Sequence, residues 1–524
     1  MKNSTVLFLT ILNLFVGQTL FSQELSSSEI DSLVNHAMSI SPSAGVAVVV
    51  VKDGKVVHMK GYGVTSINSN EKVNENTLFA IASNSKAFTT AALAMLVDEG
   101  KLNWNDKVIK HIPEFKMYDP YVTENFNIQD LLTHRSGLGL GAGDLMFFPD
   151  GSDFTITDVL NSFQYQQPVS AFRTKYDYDN LLYVIAGEVV ARLSGMSWAA
   201  FVETKIMKPI GMERSAGVYQ RVKDKSNVAF PHNTENGKLR ELKPYTKNDE
   251  SLGAAGGIYA SVNDLSNWLF LHLNNGKYGK KLGEQLISEK NHSELWKAHT
   301  NKAFEAEPKP PYRTHFKAYG LGWDLSDVIG YLKVEHTGGL PGMLSRTILL
   351  PELNLGIIVL TNTDPGGSGY YTISQQLMDA YLNVEKSDWI SQGKKWVEQR
   401  AKNSDKVTAA VWKTVAKADE KAIKHKDYLG IYEDDWFGKI EVFLKGNQLW
   451  FKSFRSPKLN GAMHFYQANT FAIKWEYQDM NADAFAMFNL DENGKAQSIK
   501  MKGISPDIYF SFDFQDLDLV RVNE

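Results

Sequence analysis

Cysteine is absent from this chain of 524 residues. Its absence excludes disulfide bonds, thiolate nucleophiles, iron–sulfur clusters, cysteine-ligated zinc and a lipidated N-terminal cysteine. An excess of one charge is also missing, because 56 lysines and arginines stand against 60 aspartates and glutamates, a net charge of −4. A balance so close to neutrality lacks the basic footprint of a nucleic-acid-binding protein. With 43% hydrophobic and 22% charged residues, the composition is that of a globular protein.

Long apolar runs are scarce as well, and the one that stands out lies at the N-terminus. Residues 6–21 are largely apolar, follow a basic residue at Lys2 and precede the polar pair Ser22-Gln23. This order is typical of a secretory signal peptide, so we expect cleavage near Gln23, with an uncleaved anchor as the alternative. Polar residues interrupt the run, which makes it a poor permanent span. The sequence thus predicts a signal peptide over 1–23 and a periplasmic or secreted protein without a stable membrane span.

The order of strand and helix patterns predicts an α+β fold. Two β-branched runs around Asp53-Gly54 predict a hairpin. Apolar residues at helical spacing predict a helix from Lys86 to Glu99. Residues 348–361 form two strand-like segments joined by a turn. We expect the strands at the two ends of this region to meet in one sheet.

The composition changes after about residue 381. Residues 385–427 are rich in lysine, glutamate, aspartate and alanine, which predicts a helical connector. From residue 428 onward, short alternating strands separated by turns predict a small antiparallel β-barrel or sandwich. The predicted division is therefore a large domain over 24–384, the connector over 385–427 and a β-domain over 428–524.

Metal and phosphate sites find little support in the sequence. The 12 histidines are scattered without metal-ligand spacing, and no metal or cofactor is predicted. Asp513, Asp516 and Asp518 match no calcium loop, so we expect them on a solvated terminus. The alternating glycines of residues 137–143 do not form a phosphate-binding pattern and are interpreted as a flexible loop.

Without a thiol, covalent catalysis requires serine, threonine, lysine or a carboxylate as the nucleophile. The pattern Ser-x-x-Lys occurs three times, beginning at Ser69, Ser83 and Ser391. Ser69 lies in a polar loop and Ser391 in the charged connector. Ser83 alone lies where an apolar segment meets an apolar helix, and this context singles it out.

A serine at a helix start has chemical consequences. The free N–H groups and partial positive charge of the helix N-terminus favour a developing oxyanion. Lys86 lies one turn on and on the same face, so its amine can reach the Ser83 hydroxyl. Burial would lower the pKa of that lysine and make it a base. The alternative is that Ser83 merely caps the helix while Lys86 is solvated.

Two further segments could supply partners for a proton relay. Tyr178-Asp179-Asn180 directly precedes an apolar helix, although such a triplet often consists of turn residues only. His336-Thr337-Gly338-Gly339 follows a strand, where glycines allow a substrate to approach the backbone. His336 taken alone is as compatible with a surface histidine. The segments gain weight as an ordered set with Ser83.

That ordered set resembles the penicillin-recognising serine hydrolases, which carry Ser-x-x-Lys, then Tyr-x-Asn, then Lys/His-Thr-Gly. The likeness is greatest to the class C β-lactamase-like branch, which includes cephalosporinases, D-aminopeptidases, carboxypeptidases and esterases. It covers about residues 30–380. The resemblance implies a β-lactamase/transpeptidase-like domain, in which an antiparallel sheet with flanking helices adjoins an all-helical lobe. The segment from residue 428 resembles the lipocalin-like C-terminal domain of some peptidases of this group.

Roles for individual residues follow from the resemblance. Ser83 would be the nucleophile, with Lys86 and Tyr178 sharing the work of general base and proton shuttle. Substrate-binding residues would be Asn180, His336, Thr337 and Gly338. The backbone N–H groups of Ser83 and Gly339 would form the oxyanion hole.

His336 departs from the lysine usual in cephalosporinases. Histidine is largely neutral at pH 7, which weakens the case for binding a substrate carboxylate. We therefore expect a peptidase or esterase acting on a D-amino-acid peptide or an ester, with a β-lactamase acting on β-lactams as the first alternative. A slowly deacylating penicillin-binding sensor is the second. Homo-oligomerisation stays open, and neither a nucleic acid nor a membrane partner is expected.

Overall fold

The structure is a computed structural model that describes residues 25–235, 238–245, 250, 253–364, 368–384, 387–419 and 423–522. The predicted signal peptide over 1–23 lies outside these residues. Within the described ranges, none of the helices combines the length and the apolar character that a membrane crossing requires.

The helices fall into a lobe that follows the first hairpin and a set that packs on the sheet. In chain order they are α1 (Ser27–Ile40), α2 (Ser85–Asp98), α3 (Val108–His111), α4 (Pro120–Asn125), α5 (Ile128–Leu132), α6 (Ile156–Ser162), α7 (Leu181–Ser194), α8 (Trp198–Phe201), α9 (Gly253–Gly256), α10 (Val262–Leu273), α11 (Glu289–Leu295), α12 (Ser368–Leu382) and α13 (Trp389–Val415). Helix α13 lies within the charged segment for which the sequence predicts a helical connector.

Strands from both ends of the first 364 residues meet in one sheet. The strands up to that point are β1 (Gly45–Lys52), β2 (Lys55–Gly63), β3 (Phe79–Ala80), β4 (His232–Glu235), β5 (Lys238–Glu241), β6 (Tyr259–Ala260), β7 (Lys277–Tyr278), β8 (Glu284–Gln285), β9 (Thr300–Phe304), β10 (Phe316–Tyr319), β11 (Asp324–Val328), β12 (Tyr331–Leu340), β13 (Met343–Leu350), β14 (Leu355–Thr361) and β15 (Thr363–Asp364). The large antiparallel sheet has the order β2-β1-β14-β13-β12-β11-β10-β9.

The unbroken apolar run of β1 is explained by burial on both faces of this sheet. Val48 packs in a core with Ile30 of α1 and Ile373 of α12. Val49 faces the opposite core, which contains Phe88 of α2. Because side chains alternate across a strand, a sheet covered on both faces requires apolar residues at every position.

The C-terminal strands close into a barrel, as the sequence predicts. They are β16 (Gly430–Asp434), β17 (Gly438–Lys445), β18 (Gln448–Ser453), β19 (Asn460–Gln467), β20 (Thr470–Trp475), β21 (Ala484–Leu490), β22 (Ala496–Gly503) and β23 (Leu519–Arg521). All adjacent pairs are antiparallel, including β16 with β23. The predicted α+β fold class with a C-terminal barrel is confirmed.

The segment between β22 and β23 leaves the barrel and packs on the helical lobe. We call residues 509–513 of this segment the strap. The Asp513 carboxylate accepts hydrogen bonds from the backbone N–H groups of Gly143 and Leu145, at 2.7 and 2.8 Å. The Phe510 ring lies 6.0 Å from the Tyr178 ring. The expectation that Asp513 belongs to a solvated terminus is wrong, because its side chain is buried.

Candidate active site

Ser83 lies in a 3-10 turn, Ala82–Asn84, that leads directly into α2. The turn is fixed from both sides, since the Ile81 N–H donates to the carbonyl of Ile258 at 2.9 Å and the Ser345 hydroxyl donates to the carbonyl of Ile81 at 2.7 Å. The helix begins where the sequence predicts, so Ser83 stands at its N-terminus. The Ser83 side chain is partly exposed, whereas residues 81–82 and 84–86 on either side of it are buried.

Lys86 is fully buried one turn further along. Its Nζ donates to the Ser83 hydroxyl oxygen at 3.2 Å, to Asn180 Oδ1 at 2.7 Å and to the carbonyl of Ala255 at 2.7 Å. Burial lowers the pKa of the Lys86 amine to about 7, against the opposing fields of Asp144 and Asp179. The amine therefore exchanges its proton near neutral pH, which a catalytic base requires.

Tyr178 lies on the loop before α7, with its ring 4.2 Å from that of His134. Lys86 Nζ lies 4.8 Å from the ring centroid. The buried Tyr178 hydroxyl makes no hydrogen bond of normal geometry to the described residues. Burial raises the pKa of this phenol well above its usual value, while the neighbouring Ser83 hydroxyl acts in the opposite direction. Tyr178 is therefore a neutral phenol beside the serine and the lysine.

Asn180 caps α7 and joins Lys86 to a buried carboxylate that sequence reasoning missed. Its Nδ2 donates to Asp144 Oδ2 at 2.7 Å. Ser511 of the strap donates its hydroxyl proton to the same oxygen at 2.6 Å. Burial raises the pKa of Asp144 to about 7, with both hydrogen bonds and Lys86 opposing that shift. Lys86, Asn180, Asp144 and Ser511 thus form a continuous polar chain from the helical lobe to the C-terminal segment.

His336 is buried on β12 and lacks the charge of the lysine that it replaces. The Tyr319 hydroxyl lies 2.9 Å from Nε2, and Nδ1 lies 2.6 Å from the carbonyl of Thr337. The carbonyl can only accept, so Nδ1 carries the hydrogen and Nε2 accepts from Tyr319. Burial lowers the pKa of His336 to about 3, with Lys86 adding to the shift. The imidazole is therefore neutral, in agreement with the sequence argument.

The remaining residues of that segment have different positions. Thr337 is exposed and follows His336 on the strand, so it belongs to the opposite face of the sheet. Gly338 faces the turn before Ser83, where a Cβ would stand 2.1 Å from the carbonyl oxygen of Ile81. Gly338 thereby allows β12 to approach this turn. Gly339 shares a cleft wall with Ser83, the position that an oxyanion-hole pair would need.

An open cleft lies over Ser83 and encloses about 750 Å³ of space, a figure that includes solvent at its mouth. Backbone and small residues form its floor, and aromatic side chains form most of its walls. The lining residues are Ala82, Ser83, Phe147, Phe148, Asn180, Val218, Tyr219, Gln220, Tyr245, Gly253, Ala255, Gly256, Gly257, Tyr259, Gly339, Leu340 and Tyr509. Lys86, Tyr178 and His336 lie behind this surface.

The structure thus unites three distant sequence segments and adds two that the sequence analysis missed. Residues 141–148, which include the end of the glycine-rich segment 137–143 interpreted above as a flexible loop, are buried. A Cβ at Gly141 would meet the Phe510 ring at 2.8 Å, so this glycine admits the strap. The glycine cluster before Asp144 is the signal that could have revealed this packing. Among the described residues, no three or more histidine or carboxylate side chains lie together in a way that could hold a metal ion.

Two family models match segments of this chain. The model of a family described as "Beta-lactamase" matches residues 30–378, and that of a domain of unknown function, DUF3471, matches residues 391–521. An unguisins hydrolase from Aspergillus campestris is 28% identical over 367 residues, which are 68% of this chain. The match spans 65% of that relative's own length.

Solved structures share the fold. The octameric penicillin-binding protein homologue from Pyrococcus abyssi matches with a TM-score of 0.59 and 19% identity, covering 95% of this chain and all of that one. A class C β-lactamase matches with a TM-score of 0.53 and 20% identity, covering 67% of this chain and 96% of that one. The predicted kinship with the penicillin-recognising serine hydrolases is confirmed. Because the family model covers most of its length, the chain belongs to the β-lactamase family.

Proposed function

We propose that this protein cleaves an amide or ester bond through an acyl-enzyme formed on Ser83. The observation that carries the proposal is the short contact between Ser83 Oγ and Lys86 Nζ, at 3.2 Å, beside a cleft. A serine hydroxyl needs an adjacent base to become a nucleophile, and an amine with a pKa of about 7 suits that task.

In the proposed acylation, Ser83 Oγ attacks the substrate carbonyl carbon while its proton passes to Lys86 Nζ. The N–H groups of Ser83 and Gly339 bind the oxyanion that forms. As the carbon–nitrogen or carbon–oxygen bond breaks, the proton passes through the Tyr178 hydroxyl to the leaving group. A water molecule then attacks the acyl carbon and loses its proton to Lys86. The bond between the acyl carbon and Ser83 Oγ breaks, and Lys86 returns the proton to Ser83 Oγ as the acid product leaves.

Lys86 is the better base of the two candidates. Burial moves the pKa of Tyr178 away from neutrality and that of Lys86 towards it. The phenol is therefore suited to relaying a proton rather than to holding the charge itself. Asn180 fixes the amine through its Oδ1, and its Nδ2 donates to Asp144. An amide nitrogen carries two hydrogens, and in the proposed complex the second one meets a substrate oxygen.

The neutral His336 favours a peptidase or esterase over a β-lactamase. A β-lactam substrate brings a carboxylate, for which a permanent cation is the natural partner. A relative named as an unguisins hydrolase supports hydrolysis of this general kind, and one solved structure of the same fold is an octameric penicillin-binding protein homologue. The octameric state of the latter supports a homo-oligomer here. The N-terminal pattern supports export to the periplasm or the medium, to be checked by N-terminal sequencing of the mature protein.

The proposal is tested by intact-protein mass spectrometry. Wild type, Ser83→Ala and Ser69→Ala are incubated with a fluorophosphonate and separately with a penicillin. Ser69→Ala is the matched control because Ser69 begins another Ser-x-x-Lys pattern but lies exposed in a loop. We expect wild type and Ser69→Ala to gain the mass of the fluorophosphonate adduct and Ser83→Ala to gain none.

The penicillin distinguishes the alternatives. An adduct that forms and decays favours a β-lactamase, and one that persists favours a sensor or a peptidase that the penicillin traps. A fluorophosphonate adduct without a penicillin adduct supports the esterase or peptidase. Labelling of Ser83→Ala at the wild-type rate would contradict the assignment of the nucleophile.

A further inference from the structure

We propose that the cleft binds a neutral, apolar acyl group, preferably an aromatic one, and that Tyr509 of the strap determines this preference. The inference rests on the proposed acyl-enzyme at Ser83. The acyl group of such an intermediate is bonded to Ser83 Oγ and must therefore lie in the cleft that Ser83 lines. The charge and polarity of the residues that line the cleft therefore determine which acyl groups can bind there.

The first observation is the absence of charge from these walls. Among the described residues that line the cleft, every side chain is neutral, and the polar ones are hydroxyl or amide groups. The nearby charged groups are buried behind the surface, where Lys86 and Asp144 are both bonded to Asn180. The His336 ring has both nitrogens engaged. Against the described lining residues, a substrate carboxylate would lose hydration without meeting a cation, which is costly.

The second observation is the aromatic character of the walls. Phe148 stands in the middle, with its ring 5.9 Å from that of Tyr245 and 5.6 Å from that of Tyr509. The rings of Tyr219 and Tyr259, which also line the cleft, lie 5.2 Å apart. These separations are typical of aromatic pairs in apolar contact. A flat apolar group entering between them would continue the same packing.

The third observation is that one wall comes from the C-terminal segment. Tyr509 lines the cleft, and its hydroxyl lies 3.4 Å from the carbonyl oxygen of Gly339, beside the predicted oxyanion hole. Two residues on, Ser511 donates to Asp144, and Asp513 follows with its bonds to Gly143 and Leu145. Residues 509–512 form a turn, in which the Phe512 N–H donates to the carbonyl of Tyr509 at 3.0 Å. This turn and the anchored side chains of Ser511 and Asp513 hold Tyr509 at the cleft. An anchored aromatic wall is suited to selecting the substrate.

The test compares two fluorophosphonates that are identical except at the end of a propyl chain, one ending in phenyl and the other in carboxylate. The rate at which each adds its mass to Ser83 is measured on the full-length protein by mass spectrometry. We expect the phenyl probe to react at least about tenfold faster, because only that end group is stabilised by the walls. Equal rates at Ser83 would overturn this inference and leave the proposed acyl-enzyme standing. Failure of both probes to label Ser83 would overturn the two together.

Variants of Tyr509 test its role. Tyr509→Ala should slow the phenyl probe about fivefold to tenfold and leave the carboxylate probe nearly unchanged. Tyr509→Phe should keep the wild-type preference, since the apolar wall is retained. Tyr509→Lys should reverse it by providing a cation. Phe454→Ala removes an exposed barrel aromatic outside the cleft and should change neither rate. A phenyl preference unaltered in both Tyr509→Ala and Tyr509→Lys would contradict the assignment.

Discussion

At the scale of single residues, the site depends on an amine that is held where water is excluded. The Lys86 amine donates hydrogen bonds to a hydroxyl, an amide oxygen and a backbone carbonyl, all of which are uncharged. Charge is offset only at a distance, by Asp144 and Asp179, whose own pKa values burial raises to about 7 and about 8. Because the pKa values of Lys86, Asp144 and Asp179 all lie near neutrality, this buried cluster can take up and release a proton at neutral pH.

Replacing Lys86 by methionine keeps the volume and removes the base. We expect kcat/KM on a p-nitrophenyl ester to fall about 10²-fold to 10⁴-fold, the usual contribution of a general base. Lys86→Arg should fail as well, because a guanidinium does not release its proton. Lys72→Ala is the control, since Lys72 is the exposed lysine of another Ser-x-x-Lys pattern. Turnover that survives in Lys86→Met, with the fold checked by circular dichroism, would transfer the role of base to Tyr178.

The pH dependence of acylation follows from the same group. Lys86 acts as base only when neutral, and its pKa is about 7. Below that pH the neutral fraction falls about tenfold per unit, so kcat/KM should rise as pH increases and level off above neutrality. Asp144→Asn removes a carboxylate that raises the pKa of Lys86, so the rising limb should move to lower pH. Profiles of kcat/KM against pH for wild type, Asp144→Asn and the exposed-site control Glu71→Gln would show this shift. A rising limb at the same pH in Asp144→Asn and wild type would contradict it.

At the scale of elements, the structures formed by residues close in sequence were predictable, whereas contacts between distant segments were not. The hairpin of β1 and β2 and the start of α2 follow from residues a few positions apart, and so do Ser83 and Lys86. The contact between Ser511 and Asp144 joins residues 367 positions apart. A serine and three aspartates near the C-terminus carry no periodic pattern that distinguishes a buried strap from a solvated tail. Only the folded barrel, which directs residues 509–513 at the lobe, reveals their role.

The strap gives an element-scale prediction. Asp513→Ala would leave the N–H groups of Gly143 and Leu145 buried without their acceptor, which costs about 1–3 kcal/mol for each lost partner. Asp144 follows Gly143 directly, so activity should fall together with stability. Asp518→Ala is the matched control, because that carboxylate is exposed and pairs with Lys500 on the surface. Thermal unfolding and kcat/KM measured side by side would test this, and equal effects of the two substitutions would count against an anchored strap.

At the scale of the whole molecule, the barrel and the lobe are joined by ion pairs as well as by the strap. Arg455 of the barrel segment bonds Asp158 at 2.7 Å and Asp153 at 2.7 Å, and its guanidinium stacks on the Phe154 ring. The Arg455 guanidinium lowers the pKa of Asp158 to about 2. A depressed carboxylate pKa stabilises the fold at neutral pH, and this stabilisation is lost as pH falls from about 4 towards 2. The junction should therefore weaken in acid.

A double-mutant cycle over Arg455→Ala and Asp158→Ala measures this junction. Both side chains are more than a quarter exposed, so we expect a coupling energy of about 1 kcal/mol at neutral pH, at the upper end for exposed pairs because the contact is bidentate. Added salt should reduce it. Lys445 and Glu476 form an exposed pair within the barrel, 3.3 Å apart, and provide the control cycle, in which coupling should be near zero. Urea unfolding of each variant gives both energies. If the Arg455 cycle were no larger than the control cycle, the pair of Arg455 and Asp158 would not contribute to attaching the barrel.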